Sequence, residues 1–258
     1  SKQMLGHLIP DRSWFKPILK LVTVCVGIVF LVLALVNLKA GEKTETVNRE
    51  GVDIVFAVDV SKSMLAEDIA PNRLEKSQRL VTEIINNLAS DRIGLIAYAG
   101  SAVPQLPITT DYGSAKMFLQ SLNTELISSQ GTAINEAIQL AESYYSDDIE
   151  AAKILVIISD GEDHEGESVA VAEAAAEKGI RIITIGVGTE VGARIPIKRD
   201  GVIREFKTDR DGKTVMTKLH PQTLKEISEA GNGVYIDGTI TATVIEELKK
   251  ELSGIDKV

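Results

Sequence analysis

The chain has 258 residues, is 44% hydrophobic and 25% charged, and carries a formal net charge of −9, a composition that excludes an intrinsically disordered protein. The first 50 residues hold 7 Lys/Arg against 4 Asp/Glu and the remaining 208 hold 21 against 33; so acidic a body, with no basic patch interleaved with aromatics, excludes non-specific nucleic-acid binding. A single cysteine, Cys25, and three histidines far apart in sequence, His7, His164 and His220, offer no Cys/His spacing for zinc and no intramolecular disulfide.

Residues 1–16 form a polar N-terminal segment. Residues 17–38 are predicted to be a transmembrane helix. From Leu21 to Leu38 the sequence reads LVTVCVGIVFLVLALVNL, 18 residues without a charge. At ~1.5 Å per residue this is about 27 Å of helix, close to the ~30 Å hydrocarbon core of a bilayer. Pro17 suits a first helical turn, where its missing N–H costs nothing. Trp14 and Phe15 suit the interface, and Lys16, Lys20, Lys39 and Lys43 can snorkel to the headgroups. A cleaved signal peptide would need a shorter apolar core and a small-x-small site, and Leu38-Lys39-Ala40 is a poor match. A buried core helix would show a polar stripe. Lys2, Arg12, Lys16 and Lys20 precede the span, and Lys39, Lys43 and Arg49 follow it. This slight bias points the N-terminus inward and the large domain out of the cytoplasm.

Residues 39–50 read as a polar linker, and 51–258 as one α/β domain. Val52–Val58 is nearly all apolar, as in a strand buried on both faces. Arg73–Leu88 has helical period, with Asn72 as cap and Glu75 three residues on. Ile93–Ala99 is a second strand, and Val103–Pro107, with Pro104 and Pro107, suits an edge. Tyr112–Leu122 and Ala133–Tyr145 read as helices, Ile154–Ser159 as a buried strand, and Ser168–Lys178 as a helix ended by Gly179. Ile180–Val187 is a further parallel strand. Leu219–Ala230 and Ala242–Leu252 are the last helices. Strands alternating with helices imply a doubly wound, mostly parallel sheet of Rossmann-like type. Between about 189 and 218, Asp200-Gly201 and Asp211-Gly212 are hairpin signals between β-prone stretches, and predict an inserted β-meander.

In such a sheet, ligands bind beyond the carboxyl ends of the strands. Three segments put hard oxygen donors there. Asp59-Val60-Ser61-Lys62-Ser63 follows the first strand, and its i, i+2, i+4 spacing on an extended loop points three side chains one way. Gly131-Thr132 leads into the helix from Ala133. Ser159-Asp160-Gly161-Glu162 follows the buried ILVIIS strand. Each has an ordinary explanation alone: a polar turn for the first and third, a helix cap for Thr132. Their conjunction at one crevice is what points to a site. Asp59, Ser61, Ser63, Thr132 and Asp160 offer two carboxylates and three hydroxyls. All-oxygen ligation favours Mg²⁺, with Mn²⁺ or Ca²⁺ as alternatives, over zinc or copper. The two carboxylates put about −2 at the site, and an acidic residue from a protein partner can complete the metal's shell.

These residues resemble the metal-ion-dependent adhesion site of von Willebrand factor A (VWA) domains, as in integrin I domains: Asp-x-Ser-x-Ser, then Thr, then Asp. The resemblance covers about Val52 to Leu252. It implies direct ligation by Ser61 and Ser63, direct or water-mediated ligation by Thr132, and action through bound water for Asp59 and Asp160. The stretches SMLAEDIAPNRLEKSQ, AYAGSAVPQLPITTDYGSAKMFL and SDGEDHEG, with the preceding span, resemble the Bat (aerotolerance-related) membrane VWA proteins of the BatA/BatB type. That resemblance implies a bacterial inner-membrane protein with a periplasmic VWA domain. It also implies a stress-tolerance role beside other Bat proteins and a MoxR-type AAA+ ATPase. Such proteins usually continue into another C-terminal span, so the chain is expected to be truncated at Val258.

Other motifs have simpler readings. Gly186-x-Gly188-x-x-x-Gly192 has the wrong spacing for dinucleotide binding, and no Walker A motif exists. Arg199-Asp200-Gly201 reads as a hairpin turn. Asp209-x-Asp211-Gly212 lacks the later Glu of a calcium loop. A Ser61–Asp160–His164 triad lacks a G-x-S-x-G elbow, and His164 reads as a surface residue. Glu162 is the one nearby candidate for proton transfer, and is expected to face solvent. The favoured function is therefore a metal-dependent protein-interaction module, not an enzyme. A Mg²⁺-dependent phosphatase with Asp59 as nucleophile, or a metal-free scaffold, are the alternatives. The phosphatase would want a second acid where Ser61 stands.

Overall fold

The computed structural model describes residues 14–36, 51–129, 131–146, 151–163, 166–199 and 201–254. Most of the N-terminal polar segment, the linker 39–50, His164 and Asp200 lie outside the described residues. Contacts divide the chain into two units, 1–47 and 48–258.

In the first unit, α1 runs from Phe15 to Val36, 22 residues, or about 33 Å at the helical rise. It starts two residues before Pro17, which falls in its first turn. The helix is long and apolar enough to cross a membrane. Its Thr23 hydroxyl donates back to the Leu19 carbonyl at 2.9 Å, which satisfies the polar group within the helix, as a lipid environment requires.

In the second unit the chain runs β1 (Asp53–Asp59), a 3₁₀ turn (Lys62–Leu65), α2 (Arg73–Asn86), β2 (Arg92–Tyr98), β3 (Ala102–Thr109), α3 (Tyr112–Ser121), α4 (Ile134–Glu142), β4 (Lys153–Ser159), α5 (Ser168–Glu177) and β5 (Ile180–Gly186). Four short strands follow: β6 (Ala193–Arg194), β7 (Pro196–Arg199), β8 (Val202–Phe206) and β9 (Met216–Thr217). The chain then closes with α6 (Pro221–Ala230), β10 (Tyr235–Asp237) and α7 (Thr241–Ser253). The main sheet has the order β10-β5-β4-β1-β2-β3, parallel except for β3, which runs antiparallel to β2.

The strands are continuously apolar because both faces are covered. Alternate residues of β1 separate accordingly. Ile54, Phe56 and Val58 join one core with Leu80 and Ile84 of α2, Leu119 of α3 and Leu248 of α7. Val55 and Ala57 join a second core with Ile134 and Ile138 of α4, Ala172 of α5 and Ile227 of α6. β3 takes the edge, as its two prolines require. At the head of α2, Asn72 Oδ1 accepts from the Glu75 backbone N–H at 2.8 Å. The Asn72 amide donates to Glu75 Oε1 at 2.9 Å, so the predicted capping pair forms.

Three local expectations change. Tyr235–Asp237 was not anticipated as a strand; it extends the sheet at β5 with three residues, too few to show a period. The metal-loop candidate is extended only as far as Ser61, and Lys62–Leu65 turn into the 3₁₀ helix. The insertion holds two small antiparallel sheets, β6–β9 and β7–β8, plus a bridge between Thr208 and Thr214. Its first strand thus pairs with its last, beyond what a simple meander does. The second predicted turn is visible in full: Asp209 Oδ1 accepts from the Asp211 and Lys213 N–H groups, both at 2.9 Å.

Candidate metal centre

The chain leaves β1 toward β2 and β3 on one side, and returns to β4 and β5 on the other. The crevice at this reversal lies beyond the C-terminal ends of β1 and β4, the place where open sheets bind ligands. Asp59 is the last residue of β1, and Asp160 follows the last residue of β4. The third segment is tied alongside, because the Ala133 N–H donates to the Ala99 carbonyl beyond β2 at 2.7 Å. Residue Ala133 occupies the cap position of α4, without a side-chain cap bond. Thr132 is therefore not the helix cap; it is buried and lines the crevice instead.

Asp59 is fully buried. One carboxylate oxygen accepts from the Ser61 N–H at 2.8 Å, and the other from the Ser159 hydroxyl at 2.7 Å. The Ser61 and Ser63 hydroxyls lie 2.8 Å apart. Burial, and after it the charge of Asp160, push the Asp59 carboxyl up to about 7. The Ser61 and Ser159 bonds pull the other way.

Asp160 has a partner that sequence reading missed. Arg73, at the first position of α2, is buried without exposed surface. Its Nη1 donates to Asp160 Oδ2 at 2.7 Å and to the Thr217 hydroxyl at 2.9 Å. Its Nε and Nη2 grip Asp68 in a two-pronged pair at 2.9 and 2.8 Å. Asp68 also accepts from the Thr189 N–H and hydroxyl. Burial alone would raise the Asp68 carboxyl, but the Arg73 bonds and charge hold it below its usual range. The expected site charge of about −2 gains an ion-pair network without changing in sum: Arg73 offsets Asp160, and Asp68 in turn offsets Arg73. The available signal was local. A cation in the first turn opposes the helix dipole, so Arg73 needed an external reason to stand there. Gly188 has its reason here as well. At φ +143°, a Cβ on it would stand 2.9 Å from Arg73 Nε, so the glycine admits the guanidinium rather than a nucleotide.

Above these buried charges opens a cleft of about 260 Å³, floored by Ser61, Ser63, Gly131 and Thr132 and walled by Lys62, Glu162, Ile195, Lys207 and Val215. Glu162 is half-buried at this cleft, and its Oε1 accepts from the Thr217 hydroxyl at 2.7 Å. Asp59 lies beneath the cleft and does not line it. Both its oxygens are engaged, an arrangement unsuited to attack on a substrate.

The donors fit a hard divalent ion. They are all oxygen, as Mg²⁺ prefers. At metal–oxygen distances of 2.0–2.1 Å, neighbouring corners of an octahedron lie about 2.9 Å apart, close to the Ser61–Ser63 separation. Among the described residues no cluster of three or more His, Cys, Asp and Glu side chains could hold a metal. A site of this kind must therefore draw on hydroxyls.

Fold and loop together define the class. The von Willebrand factor type A domain model matches residues 53–232, and the chain belongs to that family. It is similar to an aerotolerance-related membrane protein from Bacteroides fragilis, with 41% identity, a TM-score of 0.76, and coverage of 80% of this chain and 100% of that one. It is also similar to BatB from Bacteroides thetaiotaomicron, with 42% identity, a TM-score of 0.74, and coverage of 79% and 100%. A UPF0353 protein from Nocardia farcinica is 28% identical over 242 residues, 86% of this chain and 67% of that protein. The chain spans about two thirds of the length of the curated relatives it matches. The resemblance to Bat-type membrane proteins read from the sequence is thus met by solved structures.

Proposed function

We propose that this chain is a membrane-anchored docking domain that holds a divalent cation through Asp59, Ser61, Ser63, Thr132 and Asp160, and there receives a carboxylate from a protein partner. The observation that carries this reading is the Ser61–Ser63 hydroxyl pair, 2.8 Å apart, on the floor of an open cleft with two buried carboxylates behind it. When bound, the ion supplies a positive centre to which an acidic ligand can bond. Ser61, Ser63 and Thr132 present oxygens toward the cleft. Asp59 and Asp160 supply charge from below, oriented by Ser159 and Arg73. Mg²⁺ is the favoured ion, with Mn²⁺ and Ca²⁺ as alternatives, because the donors are hard and the open side leaves room for water.

We place the domain on the periplasmic side of a bacterial inner membrane, on the Lys/Arg bias around α1 and the likeness to Bat-type membrane proteins. The same likeness supports work beside other Bat proteins and a MoxR-type ATPase in aerotolerance or stress response. Docking is favoured over turnover because Asp59 does not reach the cleft. A metal-free scaffold is the rival reading.

Mn²⁺ is a paramagnetic stand-in for the ion. Electron paramagnetic resonance on the full chain in detergent should show one tightly bound Mn²⁺, displaced by Mg²⁺ and lost in Ser63→Ala. Equal weak binding by wild type and Ser63→Ala would remove the metal site and leave the scaffold. Co-purification in Mg²⁺ or EDTA, with Asp59→Ala alongside, then tests whether partner capture follows the metal.

A further inference from the structure

The 193–218 insertion differs in charge from the domain that carries it. It holds eight Lys/Arg against four Asp/Glu, a net of +4, whereas the rest of residues 51–258 hold 13 against 29, a net of −16. It also exposes apolar side chains: Val202 is 54% and Ile203 42% accessible. Its inner end is part of the cleft. Ile195, Lys207 and Val215 form one wall and lie side by side on a backbone ladder, with Lys207 N–H donating to the Ile195 carbonyl at 2.9 Å and Val215 N–H to the Lys207 carbonyl at 2.8 Å.

We propose that the insertion is a second docking arm for an acidic protein segment, continuous with the metal loop. This rests on the docking reading above and adds where the partner runs and what its chemistry is. Lys207 stands at the cleft. Arg204, three residues back along the adjoining strand, stands about 10 Å farther out at the rise of a β-strand. Arg199 is beyond it, across the β7–β8 pair. An extended segment whose leading carboxylate sits over Ser61 and Ser63 therefore meets Lys207, then Arg204 and Arg199, with Val202, paired directly with Arg199, open to an apolar residue between its acids. Guanidinium groups match carboxylates in two-pronged geometry. An anionic membrane surface is disfavoured, because the inner end of the arm borders a concave cleft of about 260 Å³, which a single side-chain carboxylate can enter and a flat layer of headgroups cannot.

The test uses the full chain in detergent and a fluorescein-labelled oligo-glutamate peptide, read by fluorescence anisotropy across a salt series. In Mg²⁺ the wild type should bind. Combined Arg199→Glu, Arg204→Glu and Lys207→Glu should weaken binding about tenfold and flatten its salt dependence, since rim charges act through long-range attraction. The matching Gln substitutions should give an intermediate loss at an unchanged unfolding midpoint, which separates lost charge from lost fold. Wild-type affinity in both sets would overturn the arm, even if Asp59→Ala abolished binding and upheld the metal loop. Loss in both sets with no effect of Asp59→Ala or EDTA would keep the arm and remove the metal loop. Binding of phosphatidylglycerol vesicles in place of the peptide, lost in the Glu set, would overturn the protein partner in favour of lipid.

Discussion

The candidate metal loop and the 193–218 insertion meet at one cleft but are built on opposite principles. At the loop, Asp59, Asp160 and Arg73 have no exposed surface, and Asp68 is nearly enclosed. Nearly every oxygen is engaged, so the donors are oriented before any ligand arrives. In the insertion most side chains face solvent, and short strands hold the backbone while the side chains are free to vary. Where burial fixes charges, geometry is precise but replacement is expensive. Where strands only display them, replacement costs little and specificity can change.

This contrast can be broken most forcefully at Arg73. Arg73→Met would leave Asp160 and Asp68 buried without their cation, and should lower stability by about 3–5 kcal/mol in denaturant titrations. A loss under 1 kcal/mol would mean that the carboxylates are protonated or hydrated instead. Next in size is the ion itself. Mg²⁺ at a hundred times its dissociation constant should stabilise the wild type by about 2.7 kcal/mol and leave Ser63→Ala unmoved, as read from thermal unfolding.

The buried Asp59 gives a pH signature in EDTA. Folded, its carboxyl sits at about 7 against an ordinary 3.8, so between those values the folded chain holds the extra proton. Stability should then fall as pH rises through the window, and Asp59→Asn should flatten the slope. A slope that persists in Asp59→Asn would assign the proton elsewhere. Thr217→Val removes the hydroxyl that bonds Glu162 and Arg73, and should cost about 1–3 kcal/mol. On the other side of the comparison, Val202→Thr or Ile203→Thr in the insertion should stay within about 0.5 kcal/mol.

The fold was legible wherever an element is long and covered. β1, β4 and β5 read as apolar runs because helices pack on both faces, and α2 announced itself through Asn72 and Glu75. β10 escaped notice because three residues set no period. For the candidate site, Ser61, Ser63 and Thr132 line the cleft and Asp59 and Asp160 lie buried behind it, since each follows or adjoins a legible strand or helix. What stayed hidden was the support. The partners of Arg73 stand 5, 87 and 144 residues away, and no local pattern in the sequence couples such positions. The bond of Glu162 was hidden for the same reason, because its partner Thr217 belongs to the distant insertion.

The reach of Arg73 also bears on biosynthesis. The side chain is placed early, but its hydrogen bonds to Thr217 exist only once the insertion has been made and has folded back onto the sheet. A chain interrupted before that point can build β1 and its loop, yet it lacks the clamp that helps fix the Asp160 carboxylate. Long-range closures of this kind come late in folding. The proposed docking face would thus ripen last, and a nascent or misassembled domain would present an incomplete one.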